Sequence, residues 1–131
     1  MTHRFTIAQA ITPLFDPSVD LQDAVERHFS PSFRRRADDG QWGGRDELAA
    51  SMAQLREAMA SATIEVHDEL IDDHLYADRH TVRVVMKDGS VLRTEVYVFA
   101  RHDADGRFQE IREATVLLLG DRAPHADDAS H

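Results

Sequence analysis

The period of the apolar residues changes once along this chain, near Ser61, and that change dictates the class of fold. Before it, Leu48, Met52, Leu55 and Met59 recur at spacings of four, three and four, while Arg45, Glu47, Gln54 and Glu57 take the other faces. That is the stripe of an amphipathic helix. After it, Thr63-Ile64-Glu65-Val66-His67 and Thr81-Val82-Arg83-Val84 alternate with period two, which suits a half-buried strand. Asp88-Gly89 and Asp105-Gly106 punctuate the run as turns. The pattern predicts four antiparallel strands over 62–71, 75–87, 90–103 and 107–119. Helices first and a strand meander afterwards make an α+β domain.

Upstream, Asp16 is a suitable helix cap, Pro17 suits the first helical position, and Asp20 and Asp23 favour the positive helix end. Leu21, Ala24, Val25 and His28 then share one helical face, and Ser30-Pro31 closes the helix. Phe5, Ile7 and Ile11 predict a shorter helix before Pro13, and Phe33 to Gly44 is expected to be a loop. With 131 residues the chain fits one domain, expected over 1–120. The segment 121–131 has almost no large apolar side chain and is expected to fray.

Charge and composition narrow the function classes. The chain has 15 Lys+Arg against 24 Asp+Glu, a net charge of −9, so it lacks the basic footprint of a nucleic-acid binder or of a protein adsorbed to anionic lipid. The absence of cysteine excludes disulfides, a thiol nucleophile and a Cys-ligated zinc site. No apolar run approaches a membrane span, and Met1-Thr-His-Arg-Phe lacks a signal-peptide plan; a cytoplasmic location is expected. The eight histidines show no convincing ligand spacing, and His125 and His131 lie in the tail, so no metal site is expected. There is neither a Gly-rich phosphate loop nor a Gly-x-Ser-x-Gly elbow.

Turn chemistry predicts a strand register. A two-residue Asp88-Gly89 turn pairs Lys87 with Ser90, setting His80 opposite Tyr97 and Val82 opposite Glu95. A three-residue Ala104-Asp105-Gly106 turn with left-handed Gly106 pairs Asp103 with Arg107, hence Tyr97 with Glu113. One sheet face then carries Val82, Val84, Met86, Phe99, Ile111, Thr115 and Leu117 together with His80, Glu95, Tyr97 and Glu113. Neighbours in the His80–Tyr97–Glu113 row stand roughly 5 Å apart, leaving about 10 Å between its ends for a water or small ligand. A carboxylate in apolar surroundings is costly unless paired or raised in pKa. Glu113 beside a phenol and an imidazole is therefore a general acid/base constellation, or else a brace that bonds Tyr97 or an arginine. His80 is either a pocket group or a satisfied core histidine, and His28 roofs the same cavity or packs in the core. Glu95 stands at the rim or pairs with Arg93. Trp42 in its Gly-rich loop lids a pocket or plugs the domain, and Arg36 binds an anionic group or belongs to a solvated charge cluster. The opposite face, with Val96, Val98, Ala114, Val116 and Leu118, is too apolar to be left bare.

The stretch from about Leu21 to Leu119 resembles the nuclear-transport-factor-2-like superfamily, in its SnoaL-like, ketosteroid-isomerase-like branch. The residues that carry this are His28-Phe29-Ser30-Pro31-Ser32-Phe33, the Asp39-Gly40 loop, the Arg45–Ala60 helix, and Ala77-Asp78-Arg79-His80. Glu95-Val96-Tyr97-Val98-Phe99 and Asp105-Gly106-Arg107-Phe108 running into Ile111-Arg112-Glu113-Ala114-Thr115 complete the pattern. The resemblance implies helices packed in the concave face of a curved antiparallel sheet, a cystatin-like cone with an apolar pocket inside. It also implies an outer sheet face that pairs into a homodimer, and chemistry, where there is any, without a cofactor. Cyclase-like members often carry His where this chain has Arg36, and many have Trp and Asp where it has Thr115 and Val116. Glu113 alone transfers to an acidic pocket position of the family.

Three functions follow as expectations. The first is a module binding a small apolar or mixed-polarity molecule, oriented by His80, Tyr97 and Glu113 and contacted by Trp42, His28, Phe33, Arg36, Met52, Leu55, Val82, Glu95, Phe99 and Thr115. The second is a cofactor-free isomerase, cyclase or hydrolase with Glu113 or His80 as base and Tyr97 as oxyanion donor. The third is a protein-interaction domain acting through the outer sheet face.

Overall fold

The computed structural model describes residues 3–118; the expected tail at 121–131 lies outside them. The short helix before Pro13 is present as α1 (Ile7–Ile11), capped by Thr6, whose Oγ1 accepts from the Gln9 amide while Gln9 Oε1 accepts from the Thr6 amide. A single 3₁₀ turn, Thr12–Phe15, follows. Helix α2 (Leu21–His28) is capped by Asp20, whose carboxylate accepts from the Asp23 amide at 2.9 Å. Asp16, the expected cap, instead accepts from the amide and hydroxyl of Ser18 in its own local turn.

The expected loop from Phe33 corrects to two strands. β1 (Phe29–Arg36) leaves α2 without a break, and β2 (Trp42–Gly43) returns against it through a turn at Gly40, φ 77°. Pro31 has no amide to donate, and the pairing of β1 is irregular across it, between Phe29 and Arg34. Helix α3 (Arg45–Ala58) starts where Glu47 Oε1 accepts from the Gly44 amide at 2.6 Å, and it buries Leu48 and Met52. Met59, expected on the same helix, opens the first long strand. Arg56 ties α3 to the turns on either side of Asp16, donating to the carbonyls of Pro13, Leu14 and Val19 at 2.8–2.9 Å.

The four predicted strands are present as β3 (Met59–Asp72), β4 (Leu75–Met86), β5 (Val91–His102) and β6 (Phe108–Leu117). They form one six-stranded sheet in the order β2-β1-β6-β5-β4-β3. β1 runs parallel to β6, so the sheet is mixed where an antiparallel one was expected. It is curved and open, and the helices fill its concave side. The core lies between them, with Ile7, Leu14, Val25, Phe29, Phe33 and Leu48 against Tyr76, Val96, Val98, Phe108 and Ile111. Among the described residues no helix is long and apolar enough to cross a membrane.

Candidate functional site

Both hairpin registers differ by one residue from the sequence expectation, for separate reasons. At the first turn the Met86 amide bonds to Ser90 O at 2.8 Å, so three residues are looped out, and Gly89 takes the left-handed conformation at φ 91°. His80 therefore faces Val96, and Tyr97 faces Arg79. The second turn forms as expected, with Asp103 bonded to Arg107 and Gly106 at φ 85°. A bulge beyond it, between Arg101 and His102, then sets Tyr97 opposite Ala114 and Val98 opposite Glu113. Because side chains alternate, one slip turns every side chain of β5 over. Between β4 and β6 the two slips add to two residues, one full strand period, so His80 and Glu113 still share the inner face although Thr115 now stands in the row of His80. Tyr97, Glu95 and Phe99 move outside, and Val96 and Val98 replace them.

On the inner face, between α1, α3 and the sheet, lies a partly open cavity of about 120 Å³. Its walls are apolar and include three of the expected ligand contacts, Phe33, Met52 and Val82, with Leu14, Phe29 and Val98. Its polar end is made by Arg35, His80 and Glu113. Asp78 stands two residues before His80, on the same face of the same strand. His80 Nδ1 lies 3.0 and 3.1 Å from the two Asp78 oxygens, and both side chains are almost wholly buried. A carboxylate accepts only, so Nδ1 carries the hydrogen and Nε2 is the nitrogen left for the cavity. Asp78, Val98 and Glu113 form one row across three strands, which sets the backbones of the two acids about 10 Å apart.

Burial pushes the Glu113 carboxyl above its ordinary value, and the Arg35 guanidinium, Nη1 at 3.3 Å from Oε1, pulls against that shift. Arg35 reaches inward because it follows Phe33 at strand period on β1, while Arg34 and Arg36 point out. The loop beyond β1 is anchored to β6 by Asp38, which accepts from the amide and the hydroxyl of Thr115.

Several expected contacts are elsewhere. Tyr97 is 44% exposed on the outer face, where its hydroxyl donates to Glu95 at 2.8 Å and Arg79 holds the other Glu95 oxygen at 2.7 Å. Those two partners hold the Glu95 carboxyl below its ordinary value. Phe99 and Arg36 border the same outer groove as Tyr97. Trp42 lies at the β2 edge, with the Arg34 guanidinium 4.3 Å and that of Arg112 5.5 Å from its ring centre. His28 is buried away from the cavity, its Nδ1 on the Ala24 carbonyl and its ring against Phe5. Leu55 packs on the core outside the cavity wall, and Thr115 is exposed. Sequence reasoning missed Asp78 and Arg35. Strand arithmetic from His80 points to Asp78, whereas Arg35 was hidden by reading its strand as a loop. Among the described residues no group of three His, Asp or Glu side chains is placed to hold a metal ion.

An open curved sheet wrapped on three helices around a partly polar cavity defines a ketosteroid-isomerase-like, nuclear-transport-factor-2-like domain. Residues 11–111 match the model of the SnoaL-like domain, and the chain belongs to that family. No curated protein sequence matches it. Among solved structures it is similar to wild-type IdmH of Streptomyces antibioticus, a candidate polyketide cyclase, at 16% identity and TM-score 0.65, covering 82% of this chain and 90% of that one. It is equally similar to an NTF2-like protein of unknown function from Exiguobacterium sp. 255-15, at 22% identity and TM-score 0.65, covering 88% and 100%. A protein with a ketosteroid isomerase-like fold from Catenulispora acidiphila, solved with trimethylamine, matches at 8% identity and TM-score 0.66, covering 86% and 85%. Likeness at such identities establishes the fold alone.

Proposed function

We propose that this chain binds a small molecule in the inner cavity, with the apolar walls holding its body and His80, Glu113 and Arg35 orienting its polar groups. The observation that carries the reading is the convergence of these three side chains, from three strands, on one end of an otherwise apolar cavity. The outer face takes a second copy of the chain. Leu70 is 74%, Phe99 52% and Val116 50% exposed there, interleaved with Arg79, Glu95 and Arg112, a surface too apolar for water and supplied with both charges.

A second reading, cofactor-free acid/base catalysis, is favoured by one specific contact. Asp78 accepts from His80 Nδ1 and so orients the ring with Nε2 toward the cavity. His80 would take a proton from one atom of the bound molecule and return it at another, with Arg35 facing the charge that develops and Asp78 acting as a positioning residue.

The test separates the inside from the outside. Fragments should shift backbone amide resonances of Val82, Val96 and Val98, and His80→Gln or Glu113→Gln should weaken binding about tenfold, the worth of one hydrogen bond to a charged or buried group. Phe99→Glu should halve the sedimenting mass with affinity unchanged. If Phe99→Glu abolishes binding while His80→Gln does not, the site is on the other face. Turnover of a ligand, lost in Asp78→Asn with affinity kept, would select the catalytic reading.

A further inference from the structure

The interior is small, and its size and charge together specify what fits. We propose that the cavity selects a neutral, single-ring molecule bearing one hydrogen-bond donor and one acceptor, and rejects fused polycycles; this rests on the reading that the cavity is the ligand site.

An apolar protein cavity of about 150 Å³ takes up benzene, and the 120 Å³ here is of that scale. The walls do not yield easily. Ile7 and Leu14 of the N-terminal helical segment and Phe29 of β1 are each at most 2% exposed. They are packed into the core cluster with Val96, Val98 and Ile111 from the sheet. A second fused ring must move side chains from several elements at once, and interiors resist such overpacking.

One wall of the cavity is shared with the surface. Arg35 and Leu48 line both the cavity and an outward hollow of about 200 Å³ bordered by Trp42 and Glu47. A longer molecule reaching through this wall has to displace Arg35, whose Nη1 lies 3.3 Å from Glu113 Oε1.

Charge decides the rest. Glu113 and Arg35 face one another on the cavity wall, 3.3 Å apart, while Asp78 is bonded to His80 and lies outside the lining. A ligand anion would meet Glu113 in a poorly solvated space, and a ligand cation would meet Arg35. A neutral molecule meets no such opposition. Its carbonyl or ether oxygen accepts from Arg35, which can only donate, and its hydroxyl donates to His80 Nε2, whose ring is held by Asp78.

Titration calorimetry and amide shifts of the full chain with phenol, benzoate, 1-naphthol and 1,8-dihydroxyanthraquinone test this. Phenol should bind at least about tenfold more tightly than 1-naphthol or benzoate, and the anthraquinone should leave the inner-face amides unmoved. Met52→Ala, which removes wall volume, should bring 1-naphthol to the affinity of phenol or beyond. Tighter binding of 1-naphthol or the anthraquinone by the wild-type chain, with Val96 and Val98 amides shifted, overturns the size limit and leaves the cavity as the ligand site. Benzoate binding more tightly than phenol overturns the neutrality. If none of the four probes shifts an inner-face amide, the cavity itself is not a ligand site, and both readings fall.

Discussion

Replacing Gly106 by alanine should damage this fold more than the same change at Gly89, although both glycines occupy nearly the same backbone conformation. Their φ angles are 85° and 91°, so each substitution carries the left-handed cost of a Cβ, roughly 1–2 kcal/mol. Around Gly89 a Cβ meets nothing within 4 Å, and that cost is the whole effect. At Gly106 the Cβ would stand 1.7 Å from the carbonyl oxygen of His3 and 2.7 Å from its carbon. Backbone on both sides cannot absorb that overlap, so the N-terminal strand of chain lying across the turn must lift. Lifting it breaks the Phe5 amide bond to Gly106 O, 3.0 Å long, for about 1 kcal/mol more. It also disturbs the packing of Phe5 against His28 and the bond from His102 Nε2 to Phe5 O. With about 1 kcal/mol for that second bond, the total is about 3–4 kcal/mol at Gly106 against 1–2 kcal/mol at Gly89. Urea unfolding followed by far-ultraviolet circular dichroism resolves a gap of that size. Equal losses in Gly106→Ala and Gly89→Ala would show that the N-terminal segment does not press on this turn, and the packing account of Gly106 would be wrong.

Two further predictions concern protons. Burial holds the Glu113 carboxyl above 4.5 in the folded state, so its favourable contribution is complete below that value and is lost as pH rises through the raised one. Glu113→Gln should therefore be more stable than the wild type at pH 8, with the difference vanishing below about pH 4.5; a difference independent of pH would refute it. His102 has the opposite sign. Burial lowers its pKa from 6.5, Nε2 is committed to Phe5 O at 2.7 Å, and Nδ1 is buried without a partner. The unfolded chain takes the proton more readily, so stability should fall as pH drops below about 6.5. In His102→Gln that fall should be shallower, with His28, also lowered by burial, supplying the remainder; an unchanged slope in thermal melts from pH 7 to 5 would count against it.

The long elements of the fold were legible because they are periodic. The α3 stripe and the alternation after Ser61 each repeat often enough to overrule any single residue. β1 escaped notice because Phe29-Ser30-Pro31-Ser32-Phe33 carries no sustained alternation and owes its extended form to parallel pairing with β6, about eighty residues away in sequence. The site was half legible. His80 and Glu113 reach the inner face by a register that is wrong twice, once from the three-residue turn at Asp88-Gly89 and once from the bulge at Arg101. Neither feature is written in the local sequence: Asp-Gly supports two- and three-residue turns alike, and bulges depend on the partner strand. Tyr97 was the casualty, since its side depends on one slip only.

Asp78 and His80 are neighbours on a single strand, whereas Glu113 comes to them through two hairpins. An insertion or deletion of one residue in either connecting turn would exchange the wall opposite the imidazole for a different set of side chains and leave the Asp78–His80 couple untouched. The domain thus carries a fixed polar anchor facing an interchangeable wall, a layout in which drift in loop length can retune what the interior recognises without rebuilding the imidazole.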